Sequence, residues 1–174
     1  MESEKTPSFH QQFSDLFDAH FQSVYRYVNR VSGDADLAAD IAQETFVKLY
    51  QRGSMPDTPL AWLISVAMNL FRNAASTRRR RLELLTPARG EGALGDAPLS
   101  PDEALEAGYA RARVRRALDL MQVRDRDLLL LQAEGMSYRE MAQTLQLNEA
   151  SVGVFLARAR RAFRKLYEES SDAS

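Results

Sequence analysis

Two concentrations of guanidinium groups mark this 174-residue chain. Arg78, Arg79, Arg80 and Arg81 form an unbroken run, while Arg158, Arg160, Arg161, Arg164 and Lys165 recur at close spacing near the end. Such groups bind phosphate through charge-assisted hydrogen bonds. Of opposite sign is the set Asp36, Asp40, Gln43 and Glu44, which can accept hydrogen bonds from cations on another surface. The remaining chemical inventory is thin. With no cysteine, disulfides and thiolate metal sites are excluded, and a reducing compartment is allowed. His10 and His20 are too few for a zinc or di-metal centre. No glycine-rich loop ends in Lys-Ser or Lys-Thr, and no nucleophile has a plausible histidine partner. No catalytic residue, metal ligand or cofactor is therefore assigned, and the chemistry expected is binding. A net charge of −1 excludes a uniformly basic coat, so any nucleic-acid surface must be local.

The elements that must position these groups are helical. Phe13, Phe17, Phe21, Val24, Val28 and Val31 step by three and four along one helix face. Gly33 suits a C-terminal stop, and Asp34 or Asp36 a new N-cap. A second helix follows with Leu37, Ile41, Thr45 or Phe46, and Leu49 inward, which sets the acidic stripe on its other face. After the loop 53–58, Thr58 and Pro59 open a third helix through Trp62, Leu63, Val66, Ala67 and Leu70 that ends in the arginine run. Trp62 is read as a core residue rather than a stacking platform, because it shares a face with Val66. No strand-length stretch alternates apolar and polar residues, so the fold class is all-α.

Residues 82–99 interleave Pro, Gly and Ala with isolated charges and read as a flexible linker, at most about 60 Å when extended. Beyond it, Ser100, Pro101 and Glu103 start a helix through Leu105, Ala107, Val114, Leu118 and Met121. A short apolar helix over 127–133 stops at Gly135. Ser137 and Glu140 form a capping box for another short helix with Met141, Ala142 and Leu145 inward. Leu147 and Asn148 make the turn into a last helix, 149–167, whose inward stripe is Val152, Leu156, Ala159, Phe163 and Leu166. A short capped helix, a tight turn and a longer basic helix make a helix-turn-helix. Alone, the terminal cations would be read as complementing the helix dipole. On the second helix of that motif, they point to DNA. Ser151, Val154, Phe155, Arg158 and Arg161 face outward; Arg158 can reach phosphate or guanine, and Val154 or Phe155 a thymine methyl.

Three stretches then carry a family resemblance. The first is 36–50, with Asp36, Leu37, Asp40, Gln43, Glu44 and Phe46. The second is 61–70, with Trp62, Leu63 and Asn69, followed by the arginines. The third runs from Gly135, Ser137, Tyr138 and Glu140 to Ser151, Val152, Arg158 and Arg160. In this order and spacing the chain resembles the ECF (extracytoplasmic function) sigma factors, the small two-domain members of the sigma-70 family. The resemblance covers nearly all of 13–166 except the linker. It implies a region 2-like helical bundle at 10–81 and a region 4-like helix-turn-helix domain at 100–167. Disordered tails are expected at 1–9 and 168–174.

The resemblance implies roles as well. Leu37, Asp40, Gln43, Glu44 and Phe46 would meet the clamp helices of the largest subunit of core RNA polymerase. Asn69 and the loop 53–58 would hold an unstacked base of the −10 promoter element. Arg72, Asn73, Arg78, Arg79, Arg80 and Arg81 would follow the melted strand. Tyr138, Arg139, Ser151, Val154, Phe155, Arg158 and Arg161 would serve the −35 element. Anti-sigma inhibitors are common in the family, so one is an implied partner, although no residue here marks it. The sequence departs from the family at Gly153, Val154 and Phe155, where basic or hydroxyl residues are usual. That implies weaker −35 recognition, or recognition through apolar contact and DNA shape.

A second class stays open on the residues alone. A helix-turn-helix regulator would bind duplex operator DNA without polymerase, usually as a dimer. An enzyme acting on nucleic acid is disfavoured by the missing catalytic groups. The polar stretch 1–8 lacks a signal-like apolar run, and no apolar run approaches the roughly 20 residues of a membrane span. A cytoplasmic protein without membrane insertion is expected, and the short tail after Tyr167 is expected to leave no room for a regulatory domain.

Overall fold

The computed structural model describes residues 8–84 and 101–169, with side chains over 8–76 and 108–169. Seven helices and no strand occur among the described residues: α1 (Phe9–Ser32), α2 (Ala35–Arg52), α3 (Pro59–Leu84), α4 (Pro101–Leu120), α5 (Val123–Ala133), α6 (Tyr138–Leu145) and α7 (Glu149–Glu169). The chain divides into two units, Met1–Ala93 and Leu94–Ser174.

In the first unit α1, α2 and α3 pack pairwise. The joint between α1 and α2 is short because each end is satisfied locally. Gly33 adopts φ 69° and donates its N–H to the Asn29 carbonyl at 2.8 Å, closing α1. Asp34 caps α2 by accepting from the Leu37 N–H at 3.0 Å, so Asp34 rather than Asp36 is the cap. The core is built from Val24, Val28 and Val31 of α1, Ile41, Phe46 and Leu49 of α2, and Leu63, Ile64 and Ala67 of α3. Thr45 is buried too; its hydroxyl donates to the Ile41 carbonyl at 2.8 Å, so the polar atom costs little there.

In the second unit α7 is the common partner of α4, α5 and α6. Val152, Leu156 and Ala159 are fully buried against Leu128, Leu131 and Met141 in this unit's core. The capping box is present. The Ser137 side chain accepts from the Glu140 N–H at 3.3 Å, and the Glu140 carboxylate accepts from the Ser137 N–H at 2.8 Å. The turn from α6 to α7 uses Gln146 in a left-handed conformation, φ 55°, and Asn148 accepts from the Ala150 N–H at 3.0 Å.

Several boundaries and burials differ from expectation. α1 begins at Phe9, four residues before Phe13, because Ser8 caps it by accepting from the Gln11 N–H at 3.3 Å. α3 continues past Arg81 to Leu84, and α7 past Tyr167 to Glu169. α5 starts at Val123 rather than 127, since Asp125 and Asp127 are themselves buried parts of that helix. Trp62, Val66 and Leu70 are half-buried; the inward face of α3 is instead Leu60, Ala61, Leu63, Ile64, Ala67 and Met68. Leu37, Phe163 and Leu166 are half-buried, while Phe17 and Val114 are exposed. The expected linker beyond Leu84, the expected cap at Ser100 and the outer parts of both tails lie outside the described residues. No described helix is long and apolar enough to cross a membrane.

Candidate functional site

On α2 the period of the helix separates two sets of side chains. Asp36, Asp40, Gln43 and Glu44 are exposed, opposite the buried Ala38, Ile41, Ala42 and Leu49. Glu44 pairs with Lys48 one turn on at 3.3 Å, an exposed contact that leaves the carboxylate accessible. Leu37 flanks this stripe, half-buried. Phe46 does not join it. Only 2% exposed, it stands against Phe17 at 4.9 Å and Phe21 at 5.9 Å between ring centroids, so it clamps α2 to α1. It also lines an open apolar groove of about 380 Å³, together with Phe13, Phe17, Gln43, Val47 and Tyr50. Gln43 thus belongs to both the polar stripe and the groove. Val47 and Tyr50, seven and ten residues after Asp40, are exposed beside it.

Asn69 and Arg72 lie on the exposed side of α3, and Arg72 Nη1 donates to Asn69 Oδ1 at 3.4 Å. Asn73 is exposed on the next position. Arg52, at the end of α2, lies 5.5 Å from the Trp62 ring centre, a cation–π contact that links the two ends of the loop 53–58. Arg78, Arg79, Arg80 and Arg81 belong to the helical backbone of α3, and their side chains lie outside the described residues.

On α7 the outward stripe is not uniform. Val154 is 69% exposed, Arg161 is exposed, and Ser151 and Phe155 are half-buried. Tyr138 and Arg139 are exposed at the start of α6. Gly153 lies beneath Tyr138: a Cβ at 153 would meet Tyr138 Cε2 at 3.4 Å. The glycine in the departing Gly153–Val154–Phe155 triplet therefore sits where the Tyr138 ring of α6 passes over α7. Arg158 is engaged within the unit. Its Nε and Nη2 both donate to the carboxylate of Asp125 on α5, the Nε contact measuring 3.1 Å. That hydrogen bond, reinforced by the Asp125 charge and opposed by desolvation, holds the guanidinium above its ordinary pKa. Arg160 donates to Gln132 Oε1 at 2.8 Å, a second tie from α7 to α5.

Two residues of α5 near α7 are marked by no local spacing. Asp125 is 5% exposed and receives Arg158. Arg124 lies 4.6 Å from the centre of the Phe155 ring, which Arg158 also approaches at 5.3 Å. Asp125 and Arg158 are 33 positions apart, so no local spacing could reveal them. Among the described residues no group of His, Cys, Asp and Glu could hold a metal ion.

Comparison with known proteins follows the same division. Residues 16–81 match the family model for Sigma-70 region 2, and residues 111–163 match that for Sigma-70, region 4. ECF RNA polymerase sigma factor SigE of Mycolicibacterium smegmatis is 29% identical over 93% of this chain and 64% of its own length. ECF RNA polymerase sigma factor BldN of Streptomyces coelicolor is 26% identical over 91% of this chain and 61% of its own. The chain thus spans somewhat less than two thirds of these relatives. The sigma factor RpoE, solved with the anti-sigma factor NepR from Bartonella quintana, shares the fold with a TM-score of 0.68. It is 20% identical, covering 90% of this chain and 97% of that one.

Proposed function

This chain belongs to the ECF subfamily of the sigma-70 family, and from that membership we propose that it is a promoter-specificity subunit of bacterial RNA polymerase. It binds core enzyme through the first unit, reads the −35 element through the second, and stabilises the melted strand of the −10 element. Like the family, it regulates transcription rather than catalysing a reaction, and it acts in the cytoplasm.

The observation that carries the reading is the placing of opposite charge on exposed faces of two separately packed units. Asp40, Gln43 and Glu44 stand out from α2, where they can pair with arginines on the clamp helices of the largest polymerase subunit. Leu37 flanks that contact. Phe46 serves it from within, by holding α2 in place and lining the adjoining groove. On α3, exposed Asn69 offers an amide to an unstacked base, with Arg72, Asn73 and the four consecutive arginines along the strand. Tyr138, Arg139, Ser151, Val154, Arg158 and Arg161 present the helix-turn-helix to the upstream duplex. Phe155 contributes by fixing the guanidiniums beside it. The domains follow the bounds 10–81 and 100–167, the first carried on to Leu84 by α3, with the segment between them as the tether. An anti-sigma protein is part of the proposal, as an inhibitor occupying these same faces.

Melting needs no covalent step. Captured bases and backbone contacts offset the few kcal/mol lost on unstacking. The test is transcription in vitro from a library of bacterial genomic DNA, with the purified chain and core polymerase. Initiation at a discrete set of start sites, absent with core alone, is the expected result. Failure to direct initiation from any template, with duplex binding retained in the absence of polymerase, would replace this reading with that of a conventional operator-binding regulator.

A further inference from the structure

We propose that Arg124, at the start of α5, is a further contact to the DNA backbone, acting as a pair with Arg158 over the ring of Phe155. The inference rests on α7 being the DNA-facing helix and adds a residue from a different helix to that surface.

The two guanidiniums share one aromatic ring, with their centres 4.6 Å and 5.3 Å from the Phe155 centroid. They also share one carboxylate. Asp125 takes two hydrogen bonds from Arg158, whereas Arg124 Nε stays 3.9 Å away, beyond hydrogen-bonding distance. Two cations around one anion leave the cluster with a net positive charge. The positions of these charges matter more than their sum. The Asp125 side chain is only 8% exposed, while those of Arg124 and Arg158 are 46% and 45% exposed. The anion is turned inward and the cations outward.

Donor accounting leads to the same place. Arg158 uses its Nε and one Nη2 proton on Asp125, and its other donors point elsewhere. Arg124 makes no hydrogen bond among the described residues, so its whole fork of donors is open. An exposed pair of guanidiniums, one fixed by a buried carboxylate and both held by stacking on one ring, loses little freedom when it meets a phosphate oxygen. The neighbouring Val154, 69% exposed, places this pair beside the part of α7 most open to a groove. A contact of this kind carries no base information. It sets the register in which Val154 and Ser151 are read.

Because phosphate contact is independent of sequence, the probe is a short mixed-sequence DNA duplex, labelled and titrated with the full-length chain at several salt concentrations. The logarithm of the binding constant falls with the logarithm of salt by about 0.9 for each phosphate contacted. Arg124→Ala should reduce that slope by about 0.9, with an unchanged thermal midpoint by far-UV circular dichroism. Arg124→Lys, which keeps a point charge, should retain most of the slope. An Arg124→Ala protein with the wild-type slope overturns the proposal. So does an equal loss in both variants accompanied by a lower thermal midpoint, which would mean that Arg124 holds the cluster together instead. A wild-type chain whose duplex binding ignores salt overturns the DNA-facing reading of α7 along with it.

Discussion

Replacing Gly153 with alanine should stabilise the second unit, and the structure permits a working of the size. Gly153 lies inside α7, where glycine costs about 0.8–1.0 kcal/mol relative to alanine because more backbone freedom is lost on folding. The added methyl would meet Tyr138 Cε2 at 3.4 Å and its hydroxyl at 3.9 Å, at the near edge of ordinary van der Waals contact. Tyr138 is 46% exposed, so its ring has room to yield a few tenths of an ångström. Propensity and contact then act in the same direction, and the net gain is about 1 kcal/mol. In a unit of this size that corresponds to a rise in melting temperature of about 4–8 °C. The two units can be followed separately in one sample. Trp62 is the only tryptophan and sits in the first unit, so its fluorescence reports that unit alone, whereas far-UV circular dichroism reports both. The expected outcome is an unchanged fluorescence transition and a later second transition by dichroism. An earlier second transition would refute the reasoning, because Tyr138 would then be locked in place and the glycine required by packing.

Three other outcomes follow from the same geometry. Reversing Asp40 and Glu44 to lysine should lower affinity for core polymerase at least tenfold, the equivalent of about 1.4 kcal/mol. Both side chains are exposed, so the dichroism spectrum should be preserved; affinity that survives would move the docking surface off α2. Phe46→Ala should destabilise the first unit by about 3–5 kcal/mol, read from the urea midpoint of Trp62 fluorescence, because it empties the centre of the α1–α2 aromatic cluster. Ser137→Ala should cost the second unit about 1 kcal/mol through loss of the capping box, with the Trp62 transition unmoved.

What the sequence made legible was mostly local. The capping box at Ser137 and Glu140 spans three residues, and both of its hydrogen bonds are found. The stop at Gly33 and the cap at Asp34 are likewise satisfied by atoms within one helical turn. Periodicity also placed the acidic residues of α2 outward, because two turns of apolar spacing suffice to orient a helix. It misjudged residues whose fate depends on distant partners. Of Thr45 and Phe46, offered as alternatives for one inward position, both are buried, Phe46 among aromatic rings from α1. Trp62 looked like core, but Arg52 from the preceding helix lies over a ring that stays half-buried. α5 starts at Val123, four residues before the expected 127, and takes in an Arg-Asp-Arg-Asp run. Asp125 is buried in that run, where it accepts two hydrogen bonds from Arg158 of α7. A pair so far apart in the chain leaves no periodic trace.

The role of α7 as the shared partner of every other helix in its unit limits which of its positions can vary. Positions such as Val152, Leu156 and Ala159 are fully committed to the interior, and Arg158 and Arg160 are tied to α5. The positions of α7 left to the surface include Ala150, Val154, Arg161, Arg164 and Lys165. A designer altering these surface positions would leave in place the scaffold that carries them.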